Sequence, residues 1–116
     1  MTDAVYGAPP PRLASSAGVQ LSPLVPGSTA LESLTPGSLD TLSMLAPPGV
    51  IERRYAIAFA LRALKVGGEL TVLAPKDKGG SRLSKELMAF GTDPQETFKA
   101  HHRICVAARP QTVVGL

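Results

Sequence analysis

The residues with the most chemical potential in this chain lie together, in the run Lys76-Asp77-Lys78-Gly79-Gly80-Ser81-Arg82-Leu83-Ser84-Lys85. Lys76, Lys78, Arg82 and Lys85 supply positive charge. If a helix opens at Ser81, the amides of Gly80, Ser81 and Arg82 have no intrahelical partner, and amides so placed hold phosphate or carboxylate. The order differs from that of a P-loop, whose lysine follows its glycines. Two glycines and a serine are also the simplest passage from a loop into a helix. The segment therefore has two readings, an anion contact and a structural turn, and Lys76, Lys78, Gly80, Ser81, Arg82 and Lys85 are its candidate nucleic-acid-binding residues.

Nothing else in the chain assembles a reactive group. His101 and His102 are adjacent, so on a strand their side chains diverge and cannot share a metal. There is no His-Glu-x-x-His, no second cysteine and no acidic cluster, and no metal-ligating residue is assigned. Ser81 and the Ser84-Lys85 pair lack a partner base and an oxyanion site, so no catalytic residue is assigned either. Cys105, between Ile104 and Val106, reads as an inert buried thiol, and a lone cysteine excludes an intrachain disulfide.

The 116 residues suffice for one domain with a single core. With three Phe, two Tyr and no Trp, that core must rest on aliphatic residues. Charge is uneven. Residues 1–50 carry Arg12 against Asp3, Glu32 and Asp40, whereas residues 51–116 carry eleven basic and six acidic groups. The second half is thus the one suited to an anionic partner such as nucleic acid. No apolar run approaches a membrane span, and the amino terminus lacks the basic start and apolar centre of an export signal, so the expected location is cytoplasmic, with no membrane partner.

These residues must be positioned by the elements around Leu64–Pro75, which reads as a helix end, a glycine stop at Gly67-Gly68, and a strand from Glu69 to Ala74. That strand is apolar on both faces and so is expected at the centre of a parallel sheet. Upstream, residues 1–17 are expected to form a tail because of Pro9, Pro10 and Pro11 and the small residues that follow. Val19–Val25 reads as a strand shortened by Pro23. Thr29-Ala30-Leu31-Glu32 has capping-box spacing for a short helix, and Thr41–Ala46 reads as another strand. A helix is expected over Val50–Leu64. Its residues Ile57, Leu61 and Leu64 form one apolar face, and Ile51, Tyr55, Ala58 and Phe59 form a second that something further must cover. Downstream, a helix from Ser81 to Phe90 sets Leu83, Leu87 and Phe90 against Arg82, Lys85 and Glu86. Glu96–Lys99 and His102–Ala108 are expected to pair as an antiparallel finish. The folded domain is placed at residues 18–110, with a short tail over 111–116.

Taken in order, the strand ending in Ala46-Pro47-Pro48-Gly49, the long helix, the run Leu64-Lys65-Val66-Gly67-Gly68-Glu69-Leu70, the basic loop and the second helix form a pattern. It resembles the carboxyl half of class I S-adenosylmethionine-dependent methyltransferases, where a strand ends in Asn/Asp-Pro-Pro-aromatic and a glycine pair opens the next strand. The basic loop and its leucine-bearing helix are most similar to those of ribosomal small-subunit RNA guanine-N2 methyltransferases. The resemblance implies a family built from two related domains, and this chain is most similar to the non-catalytic amino-terminal one, which lacks cofactor binding. The resemblance covers residues 38–109 and implies an α/β, shortened Rossmann-like fold with a mainly parallel central sheet, flanking helices and an antiparallel C-terminal edge.

The departures from the family pattern shape the functional expectation. Residues 1–45 hold no glycine-rich cofactor loop and no ribose-binding acid. Ala46 replaces the Asn or Asp that orients a target amino group, and Gly49 replaces the aromatic that stacks on a base. No cofactor-binding residue is assigned. The expected function is a degenerate methyltransferase-like domain that binds RNA or acts as a scaffold. Its partners would be RNA and, through the helix Val50–Leu64, a second copy or a catalytic methyltransferase. One alternative is an active small RNA methyltransferase whose S-adenosylmethionine pocket is completed by a dimer partner, and another is a purely structural assembly factor.

Overall fold

A computed structural model describes residues 2–10, 18–77 and 80–115. Among them a six-stranded sheet runs in the order β2-β1-β3-β4-β6-β5, with β1 at Asp3–Tyr6, β2 at Val19–Gln20, β3 at Leu39–Leu45, β4 at Leu64–Pro75, β5 at Gln95–Lys99 and β6 at His102–Ala108. The first four are mutually parallel, and β6 and β5 add an antiparallel edge. Helix α1 (Val50–Ala63) carries the crossover from β3 to β4, and α2 (Leu83–Met88) lies between β4 and β5.

Strand alternation sets Leu42, Met44, Leu70, Val72 and Ala74 on one face, where they share a core with Ile57 and Leu61 of α1 and with Leu83 and Leu87 of α2. Val5, Leu73 and Ile104 fall on the other face and are buried as well, so β4 is covered on both sides, as its composition requires. Helix α1 contains no proline or glycine, and Glu52 in its first turn and Arg62 in its last complement the helix dipole. Ile57 and Leu61 are fully buried, each contributing about 1.5–3 kcal/mol relative to exposure. Of the second apolar face, Ala58 and Phe59 are half-buried while Ile51 and Tyr55 stay exposed. The 3-10 turn Leu31–Ser33 packs on α1 and supplies buried Leu31 to the core.

Several expectations change. Asp3–Tyr6 lies within the expected tail yet forms β1, seated between β2 and β3. The proline run begins only at Pro9, and four residues whose Ala4 and Val5 are both buried suffice for a strand. Thr41 Oγ1 donates to Asp3 Oδ1 at 2.6 Å, and Thr2 N–H to Asp40 Oδ2 at 2.6 Å, fixing its register. Residues 11–17 lie outside the described residues. β2 is only two residues long. Thr29 does not cap a helix, since the turn at Leu31 is preceded by Ala30 with no side-chain cap bond.

Gly67-Gly68 is not a helix stop. Leu64 is already extended (φ −74°, ψ 142°), and both glycines lie inside β4, where Gly67 takes φ +81° as its N–H reaches Arg109 O at 3.0 Å. The second helix is shorter than expected: a 3-10 turn spans Gly80–Arg82, Arg82 precedes α2 without a side-chain cap, and Ser81 caps nothing. His101 occupies a turn rather than a strand. Val113, in the expected C-terminal tail, is buried, and Val114 N–H bonds Phe90 O at 3.0 Å.

Candidate nucleic-acid interface

Beyond the carboxyl ends of β3 and β4, the Pro47-Pro48 turn, α1 and α2 meet at one side chain. Arg53 is completely buried, although it lies in the first turns of a helix whose next residue, Arg54, is exposed. Its Nε donates to Glu86 Oε1 at 2.6 Å and its Nη2 to Glu86 Oε2 at 3.1 Å, a two-pronged pair that joins the helices. Its Nη1 donates to Pro48 O at 3.1 Å and more weakly to Pro47 O at 3.4 Å. Neither proline carbonyl can be reached by an intrahelical donor, and the guanidinium supplies one to both. The helical pattern predicts Glu86 on the polar face of α2; it turns inward because a buried guanidinium without a carboxylate would be far costlier than the pair. Sequence inspection misses this pair, because one arginine among three in a helix carries no signal of burial.

Around the pair open two contiguous clefts. One, of about 500 Å³, is lined by Pro48, Val50, Arg53, Lys76, Asp77, Ser81 and Arg82. The other, of about 490 Å³, is lined by Val50, Arg54, Arg82, Lys85, Glu86, Ala89 and Phe90. Arg82 borders both, so the structure gathers Lys76, Ser81, Arg82 and Lys85 and adds Arg54. Glu86 is engaged by Arg53 and, at 3.6 Å from its Oε2, by Arg54 Nε, which leaves Asp77 as the other carboxylate of these walls. Gly80 has a different place. It is buried, and a Cβ there would lie 2.8 Å from Ala74 O and 3.1 Å from Arg103 Cγ, so it permits close packing of the loop on the sheet. Lys78 lies outside the described residues. With α2 six residues long and uncapped, the side chains rather than a helix terminus form the basic element here.

A second pair of clefts opens over β1, β2 and the start of α1. One, about 440 Å³, includes Tyr6, Leu31, Glu32, Ile51, Glu52 and Tyr55; the other, about 370 Å³, includes Tyr6, Gly7, Ala46, Pro47 and Pro48. Tyr6 borders both. Burial, followed by the charges of Glu32 and Glu52, raises its phenol pKa above the usual range, and partial desolvation with Glu32 raises that of Tyr55. These volumes suit a nucleoside-sized ligand.

The backbone amides of the turns that edge these clefts are engaged within the chain. Gly7 N–H, Leu21 N–H and Ser22 N–H all donate to Gln20 Oε1, at 2.9, 3.1 and 3.0 Å, and Gln20 Nε2 donates back to Gly7 O at 2.8 Å. The Gln20 amide thus closes the turn after β1 against the turn after β2. Ala46 presents no polar side chain, and the Pro47 and Pro48 carbonyls face Arg53. Ala46 and these closed turns lack the glycine-rich loop contacts of the family pattern, while Glu32, Glu52, Tyr6 and Tyr55 still line the cleft.

The remaining chemistry is sparse. Cys105 is buried and its thiol pKa is pushed up to about 11 by desolvation, as an inert core thiol requires. Among the described residues no group of three His, Cys, Asp or Glu could hold a metal ion, and no helix is long and apolar enough to cross a membrane.

No family model matches this sequence, and no curated protein does. Solved structures do match. The 16S rRNA N2 methyltransferase RsmC of T. thermophilus, determined with AdoMet and guanosine, superposes with a TM-score of 0.73 at 17% identity, over 100% of this chain and 37% of that one. The antibiotic-resistance methyltransferase Kmr gives 0.50 at 15% identity, over 71% of this chain and 58% of that one. An O-methyltransferase family protein from Burkholderia thailandensis gives 0.50 at 16% identity, over 72% and 35%. This chain therefore spans little more than a third of the RsmC chain, and its sheet, crossover helix and antiparallel edge have the Rossmann-like fold of the S-adenosylmethionine-dependent methyltransferases.

Proposed function

We propose that this chain is a methyltransferase-fold domain that binds RNA through its basic clefts and does not transfer a methyl group by itself. The observation that carries this reading is the buried Arg53 fork. It occupies the Pro47 and Pro48 carbonyls, at the place where the family pattern would orient a target amino group, and it neutralises Glu86 beneath a rim of cations. A transfer reaction needs donor and acceptor held in line, and the groups that would do this are Ala46, Gly49 and a turn closed by Gln20. What remains on the surface is Lys76, Arg82, Lys85 and the exposed Arg54, which also reaches Glu86 Oε2 at 3.6 Å, each able to meet a phosphate. An RNA-bound scaffold of this kind would act beside a catalytic methyltransferase, with exposed Ile51 and Tyr55 of α1 as its contact, in the cytoplasm.

The size of the apolar clefts favours one rival, a domain that still holds S-adenosylmethionine. Titration calorimetry separates the two. The expected result is saturable heat with a short structured RNA and none with S-adenosylmethionine at micromolar protein. Micromolar binding of the metabolite, or no binding of RNA, overturns the proposal.

A further inference from the structure

The β5–β6 hairpin is an edge of the sheet, and its tip lies beside the basic loop. Lys76 N–H donates to His101 O at 3.0 Å, and Pro75 pairs with His102. The two tip residues, Ala100 and His101, take φ of 51° and 62°, a left-handed geometry that two-residue hairpins normally assign to Asn or Gly. His102 Nδ1 lies 2.8 Å from Ala100 O and steadies the turn. The bend thus holds against its local preference, tied to the loop that carries Lys76.

On β5, Phe98 is paired with Arg103 of β6 and is 48% exposed. The Arg103 guanidinium carbon lies 5.0 Å from its ring centroid. Arg103 also reaches Glu96 Oε1 at 3.4 Å, and its stem packs against Gly80. The row runs from the Gly80–Arg82 turn, across Arg103, to Phe98 on one face of the sheet. An apolar ring on an otherwise exposed edge strand, aligned with cations that continue into the basic cleft, combines the two parts of a single-strand site: charge along the backbone and a π-face for a base.

We infer that Phe98 is a stacking platform for one unpaired base of a single-stranded RNA whose phosphates run along Arg103 and the Arg82 cleft. The inference rests on the RNA-binding reading above and narrows its ligand to single-stranded RNA or an unpaired loop. Arg103 fixes one face of the ring and leaves the other to the base. Duplex RNA offers no free base face and gains nothing from Phe98.

The test uses the full chain, an unstructured ribo-oligonucleotide, and the same strand annealed to its complement. Phe98→Ala is expected to weaken single-strand binding roughly ten-fold, with no change for the duplex and an unchanged salt slope. Phe98→Trp is expected to keep the affinity, and its indole emission is expected to be quenched by the single strand alone. Wild-type affinity in Phe98→Ala, or unquenched emission at saturation in Phe98→Trp, overturns the platform while leaving phosphate binding intact. Absence of RNA binding by the unaltered chain instead overturns the parent reading, and the platform with it.

Discussion

The clefts over β1 and β2 and those over β4 and α2 open at the same end of one sheet, yet they differ in what their polar groups are free to do. In the first, Gln20 consumes the turn amides and Tyr6, Ile51 and Tyr55 leave an apolar surface edged by Glu32 and Glu52. In the second, the one buried carboxylate is neutralised by Arg53, and Lys76, Arg82, Lys85 and Arg54 face solvent. A cleft can thus have a ligand-sized volume while its turn amides are bonded within the chain, and free charge can lie on a neighbouring face. Shape and chemistry must be read separately.

The wall between the two regions is the Arg53–Glu86 pair, and breaking it should have the largest effect. Arg53→Ala leaves buried Glu86 with only the exposed Arg54, whose Nε lies 3.6 Å from its Oε2, and leaves the Pro47 and Pro48 carbonyls without the guanidinium donor; a loss of about 3 kcal/mol in urea unfolding is expected. The double variant Arg53→Met with Glu86→Leu should recover most of that loss, because it removes both charges from the interior. Equal instability in the single and double variants would show that the site needs the ions themselves.

Next in size is the contrast between the rims. Arg82→Glu should lower RNA affinity about ten-fold or more at low salt, the scale of one charge-assisted hydrogen bond to a phosphate. Ile51→Ser, on the apolar side, should leave that affinity unchanged. If both variants weaken binding alike, the two regions form one surface and the contrast fails.

The smallest effect is a titration. The Tyr6 phenol is raised above its ordinary 10.0 by burial and then by Glu32 and Glu52, so ultraviolet absorbance should show it ionising late. Glu32→Gln should bring it part of the way back. Because the unfolded phenol loses its proton first, the folded state should lose stability as pH rises past about 10, toward the raised folded value.

Much of this architecture can be read from particular residues. The apolar run Leu70–Ala74 announces a central strand, the alanine-rich segment after Gly49 a helix, and Pro23 a truncated strand. The basic rim is legible as well, since Lys76, Arg82 and Lys85 cluster in the chain. Other features depend on distant contacts. β1 is four residues whose pattern means little without β3 beside it. Arg53 looks like Arg54 until Glu86, thirty-three positions on, meets it in space. Gln20 closes two turns that no spacing rule connects, and Phe98 becomes noticeable only when β6 brings Arg103 over its ring.

The salt dependence of RNA affinity reaches the central claim most directly. If Lys76, Arg82, Lys85 and Arg54 each neutralise one phosphate of a single strand, the plot of log association constant against log salt should fall with a slope of about −3. Arg82→Glu should make that slope shallower by roughly one phosphate's share. A slope near zero, or one that Arg82→Glu leaves unchanged, would contradict the account.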